Sequence, residues 1–329
     1  MVPENYQSIQ INMEQFKNAI TSFNTQLSAG VLEYFRLDKL KNTNPDAIVI
    51  VGMGGSGQIG NLIAGLATEL KIPVPILIYK DYGLPRISYK NPFYLFISFS
   101  GNTAETISGF KKMTGLKAVV CSGGKLKKLA DSSDAPAAII PKSGLVSRQA
   151  AGYLFYGALQ LIKTIFPNIK LTGHTGINPQ TLEKKGLEIA RGIKNKTILI
   201  YGSRKNNHLA YIWKTNLNET AKIPAFSNSF PEIAHNEITI FENNPKNTAV
   251  VLLCDEKDNP RIKNIMDIFL KLLKNKIPCI KINLEGKNEL EKTWNNIILS
   301  GWTSYFLAQS QKINPRETKF IDKIKKLTK

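Results

Sequence analysis

Histidine is nearly absent from this chain: His174, His208 and His235 are the only three in 329 residues. No grouping of histidine, cysteine and carboxylates has metal-site spacing, so no metal is expected. Cysteine is as rare. Cys121, Cys254 and Cys279 lie far apart, two of them in strand-like runs, and read as buried thiols in a reducing compartment rather than a disulfide framework. No apolar stretch approaches the roughly 20 residues that span a bilayer, so no membrane association is expected. The opening Met1-Val2-Pro3-Glu4-Asn5-Tyr6 has no basic flank leading into an apolar core, so no signal peptide is expected and the chain reads as cytoplasmic.

Positive charge is plentiful. Lysine and arginine total 44 against 25 acidic residues, a formal net charge of +19. Arginine is scarce and the lysines are scattered, dense only in the tail Lys319 to Lys329. The excess reads as a compositional bias or as an attractive field for anionic substrates, and no nucleic-acid partner is expected.

Residues from about Tyr6 to Leu40 predict one or two helices. Apolar runs and helical spacings then alternate. Strand Ala47–Val51 leads to a helix in which Ile59, Leu62, Ile63, Leu66 and Leu70 share a face, and strands Pro75–Tyr79, Tyr94–Ile97 and Ala118–Cys121 follow. A helix is expected from about Thr103, and a strong one from Arg148 to about Ile165. Polar, turn-rich residues 167–179 suggest a boundary, dividing the chain into 1–167 and 168–329. The rhythm repeats beyond it. Strands Thr197–Tyr201, Thr248–Leu253 and Pro278–Ile282 alternate with helices His208–Thr220, Ile262–Leu273 and Leu290–Gln311, and a terminal helix is expected from Pro315. The expected fold is α/β: two three-layer α/β/α sandwiches with mainly parallel sheets.

Two loops carry the chemistry. Gly52-Met53-Gly54-Gly55-Ser56-Gly57 follows the first strand, and Ser98-Phe99-Ser100-Gly101-Asn102-Thr103-Ala104-Glu105-Thr106 follows the third. Glycines allow a tight turn and close approach of an anion, and a helix N-terminus offers N–H groups. The first loop also fits a dinucleotide-binding pattern, with Asp81 after the next strand. It departs from a phosphate loop of nucleotide hydrolases, because Gln58-Ile59 stands where Lys-Ser/Thr is required. A second hydroxyl-rich loop favours a terminal phosphate monoester over a pyrophosphate. The phosphate-contact candidates are Gly55, Ser56, Ser98, Ser100, Thr103 and Thr106, with N-capping as a rival role for Thr103.

Gly-Gly-Ser-Gly together with Ser-x-Ser-Gly-Asn-Thr-x-Glu-Thr resembles the sugar isomerase (SIS) domain. A doubled SIS chain of this length resembles the bifunctional phosphoglucose/phosphomannose isomerase family. Asn216-Leu217-Asn218-Glu219-x-Ala221-Lys222 and Pro231-Glu232-x-x-His235-Asn236-Glu237 extend that resemblance through the second half. It implies an N-terminal SIS domain with a leading helical segment and a C-terminal SIS domain with a terminal catalytic helix. It implies an aldose–ketose isomerase of hexose 6-phosphates, serving glycolysis and gluconeogenesis without a cofactor.

The resemblance also implies roles. Glu219 matches the proton-transfer base, and Arg148 the fixed charge beside an enediolate, although Val146-Ser147-Arg148 replaces the usual Pro-Pro-Arg. His235 matches a ring-opening histidine contributed by the neighbouring subunit, which implies a homodimer with its active site at the subunit interface. Lys325 is the best match for the ring-opening lysine, with Lys326 its competitor, and Thr318 stands near the C2 end of the sugar. Helical spacing puts Lys325 beside Ile321 and Ile324, at the border of an expected buried stripe. Two other functions fit parts of the pattern: a non-catalytic phosphosugar-binding regulator and a nicotinamide-dependent oxidoreductase.

Overall fold

The computed structural model describes residues 4–169 and 176–328. It separates into two compact units, Phe23–Thr175 and Met1–Ser22 with Gly176–Lys329. The turn-rich boundary stretch includes 170–175, and His174 with them, outside the described residues. The leading helix α1 (Glu4–Thr21) groups with the second half, not with the sheet that follows it in sequence. Phe16 stacks on Tyr305, ring centroids 6.4 Å apart, and the buried Ile20 sits over Gly301.

The described residues of unit 23–175 form six strands: β1 (Glu33–Phe35), β2 (Ala47–Val51), β3 (Ile76–Tyr79), β4 (Pro92–Ser98), β5 (Lys117–Cys121) and β6 (Ala137–Ile139). Their order is β1-β6-β5-β4-β2-β3, parallel except for β1 against β6. Every residue of β2 is buried, as a central parallel strand covered on both faces requires. The connecting helices are α2 (Gly54–Gly65), the single-turn α3 (Ala67–Leu70), α4 (Ala104–Lys112), α5 (Gly124–Ser132) and α6 (Ala151–Ile165). From β2 the chain runs outward on one side to β3 and on the other through β4. The switch point therefore falls between β2 and β4, and ligand crevices open at the carboxyl ends of such a pair.

The other unit carries β7 (Thr197–Ser203), β8 (Ala225–Phe230), β9 (Thr248–Cys254) and β10 (Cys279–Asn283), all parallel, in the order β10-β9-β7-β8. That is the order of β5-β4-β2-β3, so the second half repeats the topology of the first. Its helices are α7 (Glu183–Ile193), α8 (Asn207–Thr220), α9 (Pro260–Leu273), α10 (Glu289–Gln311) and α11 (Lys319–Leu327). Trp213, Trp294 and Trp302 are fully buried. Trp302 Nε1 donates to the Pro179 carbonyl at 2.8 Å.

Two strands lie where no strand was expected. β1 has only three residues, too few to show a period. β8 (Ala-Phe-Ser-Asn-Ser-Phe) lies at the sheet edge and is only partly buried, so no continuous apolar run marks it. The last helix begins at Lys319 rather than Pro315, and none of its residues is buried. The stripe beside Lys325 is exposed: Ile321 by 41% and Ile324 by 61%. Spacing reports that a helix has an apolar face, not what covers that face. Among the described residues no helix is long and apolar enough to cross a membrane.

Candidate active site

In unit 23–175 both loops lie at the switch point. Ser56, in the first turn of α2, is buried, and its Oγ accepts the Phe99 N–H at 2.9 Å. This bond clips the loop after β4 onto the start of α2. Ser98 is also buried, its Oγ 2.9 Å from Thr103 Oγ1. Thr103 occupies the N-cap position of α4, yet its side chain makes no capping bond; the Ser98 contact takes that place. Met53, at the N-cap of α2, offers none either. Two helix starts thus meet at the crevice without side-chain caps, an arrangement suited to receiving an anion.

The loop after β4 is held from behind. Gly101 has φ +64°, and a Cβ there would stand 1.8 Å from the Gly123 carbonyl oxygen. Only glycine fits this left-handed turn pressed against the next loop. Ser122 Oγ donates to the Phe99 carbonyl at 2.6 Å, and Asn102 Oδ1 accepts the Lys125 N–H at 3.1 Å. The outcome is graded. Ser100 is exposed and Thr103 half-buried, whereas Ser56 and Ser98 brace from below. Thr106 is fully buried beneath the loop, its hydroxyl without a hydrogen-bond partner among the described residues.

A third segment joins them. Ser147–Gln149 form a short 3-10 turn ahead of α6, and Ser147 Oγ lies 3.3 Å from Ser56 Oγ. A Cβ on Gly55 would come within 2.9 Å of Ser147 Oγ and 3.0 Å of the Arg148 backbone nitrogen. Gly55 is therefore what lets the half-buried Arg148 approach the start of α2. Gly55→Ala is expected to push this segment outward by a few tenths of an ångström and to lower kcat/KM roughly tenfold, with little change in melting temperature. Steady-state kinetics beside a thermal scan measures both.

Lys80 is a residue that the sequence patterns did not single out. It follows β3 directly, is half-buried, and its Cε would lie 3.3 Å from a Cβ on Gly57. Burial pushes the pKa of its ammonium down. Its position at a strand's carboxyl end, beside the glycine turn, was the available signal.

Glu219, His235 and Lys325 belong to the other unit. Glu219 is half-buried in the last turn of α8, and its neighbours explain the motif around it. Asn216 donates to Ser300 Oγ at 2.7 Å and so ties α8 to α10. Asn218 donates to the Ile223 and Ala225 carbonyls at 2.9 and 3.3 Å, fixing the way into β8. Ala221 is fully buried. Lys222, at φ +56°, donates to the Glu219 carbonyl and, at 2.6 Å, to the Glu317 carbonyl. That last bond secures the segment leading to α11 against the end of α8.

His235 ends a 3-10 turn, Glu232–His235, and is exposed. The turn is anchored from both sides: Ile233 is buried, Asn236 donates to Glu232 at 2.7 Å, and Glu237 accepts from Tyr201 at 2.7 Å and Asn228 at 2.6 Å. Burial, and after it the Glu237 carboxylate, raise the Tyr201 phenol's pKa, keeping it a proton donor. Lys325 is exposed on α11. The structure thus gathers Ser56, Ser98, Ser100, Thr103 and Arg148 in one unit, and places Glu219, His235 and Lys325 on separate segments of the other.

Residues 182–327 match the family described as bacterial phospho-glucose isomerase C-terminal SIS domain. The chain is similar to the bifunctional phosphoglucose/phosphomannose isomerase of Aquifex aeolicus, with 32% identity over 296 residues, 88% of this chain and 92% of that one. Its counterpart in Thermoplasma volcanium is 31% identical over 304 residues, 88% and 94% of the two chains. The D-glucosamine-6-phosphate 4-epimerase of Sulfolobus acidocaldarius is 28% identical over 292 residues, 86% and 89%. Among solved structures, the C-terminal domain of glucosamine-fructose-6-phosphate aminotransferase from Francisella tularensis superposes with a TM-score of 0.66 at 15% identity, covering 94% of this chain and 98% of that one. Glucosamine-6-phosphate deaminase from Thermotoga maritima gives 0.62 at 12% identity, covering 93% and 96%. At such identities the likeness concerns the fold.

Proposed function

The chain belongs to the bifunctional phosphoglucose/phosphomannose isomerase family, and from that premise we propose that it interconverts glucose 6-phosphate, mannose 6-phosphate and fructose 6-phosphate in the cytoplasm. The observation that carries the reading is the crevice between β2 and β4. Two helix starts without side-chain caps meet there, with the Ser100 and Thr103 hydroxyls at its surface and Arg148 drawn in against Gly55. A dianionic phosphate is the ligand that such a donor set favours.

The roles follow from what isomerisation requires. His235 and Lys325 move the protons that open the sugar ring. Glu219 takes the proton from C2 of the open aldose, the C2 electrons form the C1–C2 double bond, and the former C1 carbonyl oxygen carries the charge of a cis-enediolate. Arg148 offsets that charge. The O2 hydroxyl proton passes to O1, the charge moves to O2, and return of the Glu219 proton to C1 leaves C2 as the ketone carbonyl. Glucose and mannose 6-phosphate differ only at C2, and a planar enediolate erases that difference. The exposed His235 and the uncovered apolar face of α11 support a homodimer in which a second copy completes the site. In sequence the SIS repeats divide as 1–167 and 168–329, with α1 packed on the later one.

Supplying fructose 6-phosphate and identifying products by NMR tests this. Both aldoses are expected. Glucose 6-phosphate alone would mean a monofunctional isomerase. The similarity to a 4-epimerase favours a second reading, inversion at C4 of an amino sugar phosphate. Turnover of D-glucosamine 6-phosphate to its C4 epimer, with fructose 6-phosphate left untouched, would establish it instead.

A further inference from the structure

The repeated strand order allows the two switch points to be compared residue by residue. Val51 of β2 pairs with Phe96 of β4, and Tyr201 of β7 pairs with Leu252 of β9. One step on from the first strands come Gly52 and Gly202; three steps on from the second come Phe99 and Asp255. Asp255 therefore stands, in the second sheet, where the hydroxyl-rich loop stands in the first.

Its side chain is fully buried and surrounded by donors. Lys292 Nζ lies 2.6 Å from Oδ1, and the Lys257 backbone N–H donates to the same oxygen at 3.0 Å. Lys205 Nζ lies 2.9 Å from Oδ2, with Asn206 Nδ2 at 3.4 Å. Two ammonium groups, an amide and a backbone N–H around two oxygens make a donor set suited to an anionic oxygen group. Glu289 balances both lysines at 3.3 Å. Asp258 takes up the neighbouring Ser203 hydroxyl at 2.6 Å. On the first turn of α8, His208 is 9% exposed, and its Nε2 has no hydrogen-bond partner among the described residues.

We propose that the Asp255 carboxylate is a built-in substitute for a bound phosphate: the second sheet retains an oxyanion site, and the chain closes it with its own side chain. The inference rests on the matched strand order and this cluster, and holds whichever sugar the first crevice takes. One consequence is stoichiometric. The native chain holds one phosphate monoester, not two, although it has two switch points.

Removing the plug opens the site to inorganic phosphate. Asp255→Ala leaves Lys205 and Lys292 sharing Glu289, which Lys257 also approaches at 3.4 Å, so the cluster is short of negative charge. In chloride buffer its melting temperature is expected to fall below that of the parent and to climb with inorganic phosphate at constant ionic strength. Equilibrium dialysis should count one more phosphate per chain than in the parent. Asp255→Asn keeps the space filled and should gain no phosphate, and Asp255→Ala/Lys292→Met should lose the gain. If Asp255→Ala is unfolded in chloride, refolding in phosphate is expected to restore it. No extra phosphate in folded Asp255→Ala, recovery by formate but not phosphate, or no recovery in phosphate at all would each overturn the proposal. None of these readouts uses turnover, so failure of the isomerase reading would be seen separately.

Discussion

Glu219→Gln is expected to lower kcat by about 10²–10⁴-fold, the range for loss of a positioned general base, while KM for fructose 6-phosphate barely moves. The amide keeps the shape of the side chain and removes its ability to take a proton. Bonds of its neighbours and of its own main chain hold this end of α8: Asn216 to Ser300, Asn218 to the Ile223 carbonyl, Lys222 to the Glu219 carbonyl. None of these changes in the variant, so its fold should match that of the parent. The residues proposed to hold the phosphate lie in the other unit and are unaltered. A loss of kcat and kcat/KM in equal measure would mean that Glu219 acts only in the transition state. Washout of deuterium from C2 of labelled glucose 6-phosphate reports the same step directly and should slow by the same factor. Retained turnover would remove Glu219 from the mechanism.

Much of this architecture could be read from the chain because its central strands leave little choice. Ala47–Val51 and Thr248–Leu253 are unbroken apolar runs, and a strand covered on both faces needs such a run. The two loops after β2 and β4 were legible for a similar reason: glycines and hydroxyls clustered directly after a strand have few other uses. What stayed hidden depends on distance in space. Nothing in Glu4–Thr21 tells that Phe16 will stack on Tyr305, so its grouping with the second half could not be read. β8 is an edge strand whose Ser227 and Asn228 are only half-buried, and it lacks an apolar signature. Ile321 and Ile324 mark an amphipathic helix, but their cover is not in the spacing. The site splits along the same line. Ser100 and Thr103 announce themselves within one loop, whereas Lys205, Asp255 and Lys292 are 50 and 37 positions apart and meet only through the order of strands.

That cluster carries the second large effect. Lys292→Met is expected to destabilise the native state by about 3 kcal/mol, toward the lower end for breaking a buried ion pair, because Lys205 remains as a second partner for Asp255. Methionine replaces the aliphatic stem, so the loss is one of charge and hydrogen bonding rather than packing. Lys292 and Lys205 hold the Asp255 carboxyl well below the usual carboxylate range, outweighing its burial. The sign of the pH effect follows. A carboxylate whose native pKa is depressed contributes stability that is complete above the unfolded pKa of about 3.9 and is lost as pH falls toward the native value. The gap between parent and variant in urea unfolding should therefore be full above about pH 5. It should narrow steadily as the pH falls below about 4. Adding Asp255→Asn to Lys292→Met should recover part of the loss, since the double variant no longer buries a charge with one partner missing. A gap that stayed constant across this pH range would mean that Lys292 stabilises the fold through its stem alone.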